Sequence, residues 1–368
     1  MTVTDQNLPP HLYGKDKRHD LGLGLVMSAA RLFTRGTALI PLRRMAAPGG
    51  SGAMQLDVVA RSSESADGSV ASIVLQAPGG AELPQWWPGA HLDVHLPSGR
   101  MRTYSLCGDF RSRSEYRIAV RRIADGGGGS VEAHDVLQVG ATVTIRGPRN
   151  AFPFAPPGAG STAQHVRFIA GGIGITPILA MINLCAARGI DWSLVYAGRD
   201  LDSLPFRDAL ARHGERVIIR TDAEHGLPTA DDLLAGVVAG DAVYCCGPAP
   251  MLDAVRFAVR TMPDTELHIE RFAPAPVVGG AAFTVELARS DELIDVPADV
   301  SILDAVRVGR PQIAYSCRQG FCGTCVMTVV HGEPEHRDSI LTDEERAAGK
   351  MLICVSRVAA GSHLVLDA

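Results

Sequence analysis

The spacing of apolar positions changes character twice along the chain, and each change predicts a different kind of domain. Between residues 54 and 156, short runs of alternating apolar and polar residues predict strands at 56–60, 69–75, 91–95, 102–106, 116–121 and 142–145, the period of two that half-buried strands require. Turn formers at Pro97-Ser98-Gly99 and in the run from Gly126 to Gly129 separate them, which predicts an antiparallel β-barrel. From 157 to 273 continuous apolar runs at 166–170, 192–196, 217–220, 242–246 and 266–269 alternate with helical periods at 176–187 and 249–259, which predicts a parallel α/β domain. Residues 274–281 are rich in proline and glycine and read as a linker. Beyond it, 282–368 begins with a hairpin at 283–287 and 291–296 and a helix at 301–309, an α+β pattern.

Residues 1–53 stand apart as an N-terminal extension, with seven Lys/Arg against three Asp/Glu. The apolar stretch 21–42 carries Arg31 and Arg35 and runs into Arg43-Arg44. A basic amphipathic segment can lie on an anionic membrane, so peripheral contact through 21–44 is one expectation. Packing on the barrel or on a partner is the other, and glycines at 22, 24 and 36 interrupt any single helix. No run of about 18 apolar residues predicts a spanning helix.

Length and composition narrow the class. A chain of 368 residues allows two or three domains with their own cores. A formal net charge of -5 without a basic, aromatic-rich run argues against nucleic acid. Eight cysteines are too sparse for a disulfide scaffold and no secretory signal opens the chain, so a reducing cytoplasm is expected.

Four cysteines carry a pattern. Cys317, Cys322 and Cys325 have the spacing C-x4-C-x2-C, with Cys354 downstream, which matches the ligand set of a plant-type [2Fe–2S] cluster. Zinc is the rival, but structural zinc sites usually pair two short knuckles and only one is present; four unrelated buried thiols is the third reading. Gly320 and Gly323 let backbone N–H groups turn toward cluster sulfides. In the barrel, Arg102-Thr103-Tyr104-Ser105 offers a guanidinium, an aromatic ring and hydroxyls able to hold a flat heterocycle with an anionic tail. Alternation sends Arg102 and Tyr104 to one face and Ser105 to the other. Gly128-Gly129-Ser130 before a helix makes a phosphate cradle, or else a flexible hairpin loop. Gly171-Gly172-Ile173-Gly174-Ile175-Thr176-Pro177 joins a strand to a helix and lets a cofactor approach the backbone. Arg199 and Asp200 end a later strand, where an acid suits an adenosine ribose and an arginine a 2′-phosphate.

These motifs, in this order, resemble the phthalate dioxygenase reductase and vanillate demethylase reductase family. Its members join a flavin barrel of the ferredoxin reductase superfamily, an NAD(P)-binding α/β domain and a plant-type ferredoxin, an α+β (β-grasp) domain. By that resemblance Arg102 and Thr103 hold the flavin at its phosphate side, Tyr104 covers one face and Ser105 lies near its redox-active nitrogen. Gly128, Gly129 and Ser130 complete the flavin site. Gly171, Gly172, Gly174 and Thr176 receive the nicotinamide nucleotide. Cys246, Gly247 and Pro248 match a Cys-Gly-Pro element beside the nicotinamide, and Glu270 and Phe272 match terminal residues that approach the flavin. Ser105, Cys246, Glu270 and Phe272 are the expected catalytic residues. The implied cofactors are a [2Fe–2S] cluster, FMN in preference to FAD, and NADH with NADPH as the alternative.

A flavin must stand between a two-electron hydride donor and a one-electron cluster, so the expected activity is NAD(P)H-dependent electron delivery to a separate terminal oxygenase, of the Rieske non-haem iron oxygenase or demethylase class. No Rieske pairing of histidines and cysteines is visible in this chain. A haem-thiolate monooxygenase as acceptor, or a redox-responsive binding module, are the other readings. Residues 282–368 carry thirteen Asp/Glu against eight Lys/Arg; the acids from Glu333 to Glu345 could steer a basic partner or form a solvated face.

Overall fold

The computed structural model describes residues 53–124, 128–272, 277–310, 313–315, 318–320, 323–338 and 340–368. The expectations for the N-terminal extension and for Cys317 and Cys322 lie outside them. Among the described residues no helix is long and apolar enough to cross a membrane.

The first sheet contains β1 (Met54–Ser63), β2 (Val70–Gln76), β3 (Ala90–His95), β4 (Met101–Ser105), β5 (Tyr116–Arg121) and β6 (Thr142–Asn150), in the order β4-β3-β6-β1-β2-β5. Helix α1 (Gly129–Val136) follows β5. The two terminal strands meet only where β4 has ended: Leu106 bridges Ile118, and the Cys107 N–H donates to the Arg117 carbonyl at 2.9 Å. The barrel is therefore closed at Leu106 and open along Met101–Ser105. An unpaired strand edge presents unsatisfied backbone groups, and the other domains gather around this one.

The second sheet holds β7 (Val166–Gly171), β8 (Trp192–Gly198), β9 (Val217–Thr221), β10 (Ala242–Cys246) and β11 (Glu266–Glu270), all parallel, in the order β11-β10-β7-β8-β9. Its helices are α2 (Ile175–Arg188), α3 (Arg207–Ala211), α4 (Asp222–His225), α5 (Ala230–Leu234) and α6 (Ala249–Val259). Strand β7 is buried at all six positions, as a central parallel strand must be. The strand order reverses beside β7, where ligands of open α/β sheets bind at the carboxyl ends. One apolar cluster contains Val70, Cys107 and Ala119 of the barrel segment together with Phe168, Ile178 and Tyr196, so these two domains share a core.

The third sheet runs β13-β12-β16-β14-β15, with β12 (Phe283–Leu287), β13 (Glu292–Val296), β14 (Val326–His331), β15 (Lys350–Leu352) and β16 (His363–Leu366). Helix α7 (Ile302–Gly309) places Ile302, Leu303 and Val306 in its core, and Ser301 caps it by accepting the Asp304 N–H at 3.1 Å. Helix α8 (Asp343–Ala347) opens with a capping box between Thr342 and Glu345. Its core has one member from far away: Met101 of β4, 7% exposed, belongs to the same cluster as Phe283, Leu303 and Met351.

Arg357 ties the turns of this domain together. Its side chain is 1% exposed and donates to the carbonyls of Val300 at 2.7 Å, Ala281 at 2.7 Å and Pro297 at 2.9 Å, with its guanidinium 4.9 Å from the Phe283 ring centroid. Replacement by methionine leaves three acceptors without their donor. Arg357→Met is expected to lower the stability of this domain by roughly 3 kcal/mol, read as an earlier denaturant midpoint for loss of visible iron–sulfur absorbance, with Arg357→Lys falling between.

Candidate flavin, nucleotide and iron–sulfur sites

Two cavities adjoin the open edge of β4. One, of about 270 Å³, is lined by Arg102, Thr103, Tyr104 and Ser105 with Ser130, Thr176 and Phe272. The other, of about 570 Å³, adds His91 and Glu270 and is walled on its far side by Arg307, Arg318 and Gln319 of the third domain. Alternation assigns Ser105 and Tyr104 to opposite faces, yet both line the smaller cavity, because a cavity at a free edge wraps around both faces of the strand. Thr103 is held by its neighbour: its hydroxyl donates to Asp93 Oδ1 at 2.7 Å.

The anion seat forms where Arg102 crosses the start of α1. A Cβ on Gly129 would lie 2.1 Å from Arg102 Nε, so only glycine lets the guanidinium close over the first turn of the helix. Gly128 precedes it with φ +74°, a left-handed conformation suited to glycine. The positive helix end and the guanidinium point to an anion together. Ser130 lines the cavity, but its hydroxyl already accepts the Ile123 N–H at 3.1 Å and so orders the loop as well.

The nucleotide-domain cavity, about 470 Å³, is lined by Gly171, Gly172, Arg199, Asp222, Pro248 and Met251 among others. Gly174 fixes its floor: a Cβ there would meet the Cys246 carbonyl oxygen at 2.2 Å. Gly247 packs against Gly171 beneath it. Thr176 turns inward, its hydroxyl donating to the Ile173 carbonyl at 3.0 Å, and it lines the barrel cavity instead of this one. Arg121, at the end of β5, lines both cavities and joins them. Asp200 is drawn into a turn, accepting the Ser203 N–H at 2.8 Å on its carboxylate. The carboxylate on the cavity wall is Asp222, which sequence reasoning did not single out. Its signal was the end of β9, which lies beside the end of β8 that carries Arg199.

Glu270 is the unusual acid of the site. It is 7% exposed, burial lifts its carboxyl to a pKa of about 8, and Oε2 has no hydrogen-bond partner among the described residues. Its register partner is Cys246, fully buried, whose thiol burial pushes well above the usual range. Cys246 is therefore a neutral thiol packed behind the cavity wall. Phe272 is half exposed and faces both cavities at the edge. Tyr104 Oη is likewise buried without a hydrogen-bond partner among the described residues, and burial raises that phenol to about 12. A flat heterocycle with carbonyls and ring nitrogens offers partners to Tyr104 Oη and Glu270 Oε2, and a phosphate at its tail suits the positive seat made by Arg102 and the start of α1, so these residues fit a flavin.

Sequence reasoning also missed His91 and Arg121. His91 pairs with Ser105 across β3 and β4 and lines the larger cavity; burial holds its imidazole below its ordinary pKa, and hence neutral. In the third domain Cys325 and Cys354 are both buried, and the Ile353 N–H donates to the Cys325 carbonyl at 3.4 Å. Cys325 and the distant Cys354 are thus brought together, as a shared ligand set needs.

The Glu270 carboxyl has a signed consequence. Its folded pKa of about 8 lies above its ordinary 4.5, so the folded state binds the proton more tightly and stability falls as pH rises between those values. In flavin-free protein, the melting temperature of wild type is expected to drop relative to Glu270→Gln across that window and to stop diverging above pH about 8. A constant difference from pH 5 to 9 would show that the carboxyl titrates normally.

Comparison with known proteins agrees with this construction. Residues 285–359 match the 2Fe-2S iron-sulfur cluster binding domain. The phenoxybenzoate dioxygenase subunit beta of Ectopseudomonas oleovorans is 41% identical over 289 residues, 77% of this chain and 88% of that protein. Phthalate dioxygenase reductase, described as a modular structure for electron transfer from pyridine nucleotides to [2Fe-2S], superposes with a TM-score of 0.64 at 34% identity, covering 86% of this chain and 98% of that one. An intact type IV self-sufficient cytochrome P450 monooxygenase superposes with a TM-score of 0.67 at 38% identity; the match covers 86% of this chain and 41% of that chain. With a barrel open at one edge, a nucleotide fold and a [2Fe–2S] domain in this order, the chain belongs to the phthalate dioxygenase reductase family of pyridine-nucleotide-dependent flavin and iron–sulfur oxidoreductases.

Proposed function

We propose that this protein takes hydride from NADH at the nucleotide-domain cavity, uses FMN held along β4, and passes single electrons through Cys317, Cys322, Cys325 and Cys354 to a separate Rieske-type oxygenase. The observation that carries the reading is the continuity of the site: Arg121 joins the nucleotide cavity to the β4 edge, and the same edge reaches the third domain. A flavin supplies the change from paired to single electrons.

The residues divide the work. Arg102 and the start of α1 seat one phosphate, which favours FMN over a dinucleotide. Tyr104 and Phe272 bracket the ring, and Phe272, half exposed, is placed to yield to a nicotinamide. Ser105, His91 and Glu270, the last holding its proton at neutral pH, line the same cavity and would meet the polar edge of the ring. Asp222 takes the ribose hydroxyls of the adenosine, and its charge opposes a 2′-phosphate; this favours NADH even with Arg199 nearby. The likeness to a self-sufficient P450 chain supports a second reading, in which the acceptor is a haem-thiolate monooxygenase.

Anaerobic titration tests the scheme. NADH is expected to bleach the flavin and then the cluster, and flavin released by acid to chromatograph as FMN. Asp222→Asn should shift the NADPH to NADH ratio of kcat/KM toward NADPH by on the order of tenfold. Cys325→Ser should abolish cytochrome c reduction while NADH still reduces the flavin; retention of both activities would falsify the relay. Reconstitution with a Rieske oxygenase and with a haem-thiolate monooxygenase separates the two acceptors.

A further inference from the structure

Among the described residues, the third domain meets the barrel through Met101 and Tyr315 and the end of the nucleotide domain through Gln319. Met101, the residue before Arg102, is buried in the hydrophobic core of the third domain although it belongs to β4. Tyr315, two residues before Cys317 in sequence, donates its hydroxyl to the Met101 carbonyl at 3.3 Å and is itself 5% exposed. Arg307 lies 4.1 Å and Arg318 5.9 Å from the Tyr315 ring centroid, and both guanidinium groups pair with Asp304. On the other side, Gln319 Nε2 donates to the Arg271 carbonyl, and Arg271 is fixed by an ion pair with Asp253 at 2.7 Å. Cys317 is thus flanked in sequence by Tyr315, which grips the flavin strand, and by Gln319, which grips the residue between Glu270 and Phe272.

We propose that Met101 and Tyr315 form a latch that holds Tyr315, at the entry to the cluster-bearing segment in sequence, against the flavin strand, making the two positioning residues for electron transfer between flavin and cluster. The inference rests on the electron-relay reading above. Polar and apolar parts have separate tasks: the Met101 side chain anchors the barrel edge in the core of the other domain, and the Tyr315 hydroxyl ties the other domain to the backbone of that edge. The step served is the passage of one electron at a time from NADH-reduced flavin to a ferric ion of the cluster, which becomes ferrous; no bond is made or broken at the seam. Both residues line the larger cavity beside β4, but neither lines the nucleotide cavity, so nucleotide docking does not depend on them.

The test is stopped-flow reduction of the full-length holoprotein by NADH, following flavin bleaching and cluster reduction separately, in wild type, Met101→Ala, Met101→Leu and Tyr315→Phe. The affinity for NADH and the electron paramagnetic resonance spectrum of the dithionite-reduced cluster are expected to match wild type in all three variants. Cluster reduction is expected to slow on the order of tenfold in Met101→Ala, as misplacement of about an ångström can do, and less in Tyr315→Phe, with Met101→Leu near wild type. Tryptic cleavage after Arg271 in the oxidised protein, which needs no turnover, is expected to quicken in the same order. Wild-type cluster reduction in both Met101→Ala and Tyr315→Phe, unchanged cleavage, or a parallel fall in flavin bleaching overturns the latch. A wild-type protein whose flavin bleaches while its cluster stays oxidised overturns instead the relay on which the latch rests.

Discussion

The open edge of β4 is the constraint from which the rest of the molecule follows. A strand edge left unpaired exposes donors and acceptors that either invite another strand or must be covered. This barrel closes at Leu106 and Cys107 and leaves five residues, Met101 to Ser105, without a second neighbour. The chain uses that gap twice. Arg102 to Ser105 line the smaller cavity, and Met101, one step earlier, is buried in the core of the third domain. Two cofactor-bearing domains are therefore referenced to one short strand, so an error in its placement displaces both.

Electrostatics around the edge is unequal by design of the walls. Arg102, Arg121 and the start of α1 present positive charge toward the barrel cavity, while Glu270, which lines the larger cavity, is kept neutral near pH 7 by burial. An ionised carboxylate at that depth would need a partner, and none is available to Oε2 among the described residues. Cys246 behind it is neutral for the same reason. The site thus favours an anionic ligand while keeping a proton on the Glu270 carboxyl.

Much of this was legible in the sequence, and the parts that were not share a cause. Helix α6 spans 249–259, the same residues that periodicity marked, because Pro248 before it and the amphipathic run within it are both local signals. The strands of the barrel appeared within a few residues of their observed bounds for the same reason. The open edge did not appear, because alternation describes the faces of a strand and says nothing about which strands lie beside it. Ser105 and Tyr104 were separated by alternation and reunited by the edge. Asp200 attracted attention by sequence adjacency to Arg199, whereas Asp222 reaches the same wall from the end of a neighbouring strand. Met101 looks like an ordinary apolar residue of its strand; membership in another domain's core leaves no trace in local pattern.

What keeps an open edge in register is the buried carboxylate of Asp93. Its side chain is 0% exposed, on the strand between β4 and β6, and it accepts the Thr103 hydroxyl at 2.7 Å and Arg149 Nη1 at 2.8 Å. A one-residue slip of β4 would turn Thr103 away from Asp93, strand the carboxylate with one partner, and exchange the faces of Arg102 and Ser105. A buried charge that loses a partner costs several kcal/mol, far more than one ladder hydrogen bond contributes. The Asp93 network therefore does for β4 what a second neighbouring strand does elsewhere in the sheet. It fixes the strand from one side only, and the other side stays free for cofactor and cluster domain.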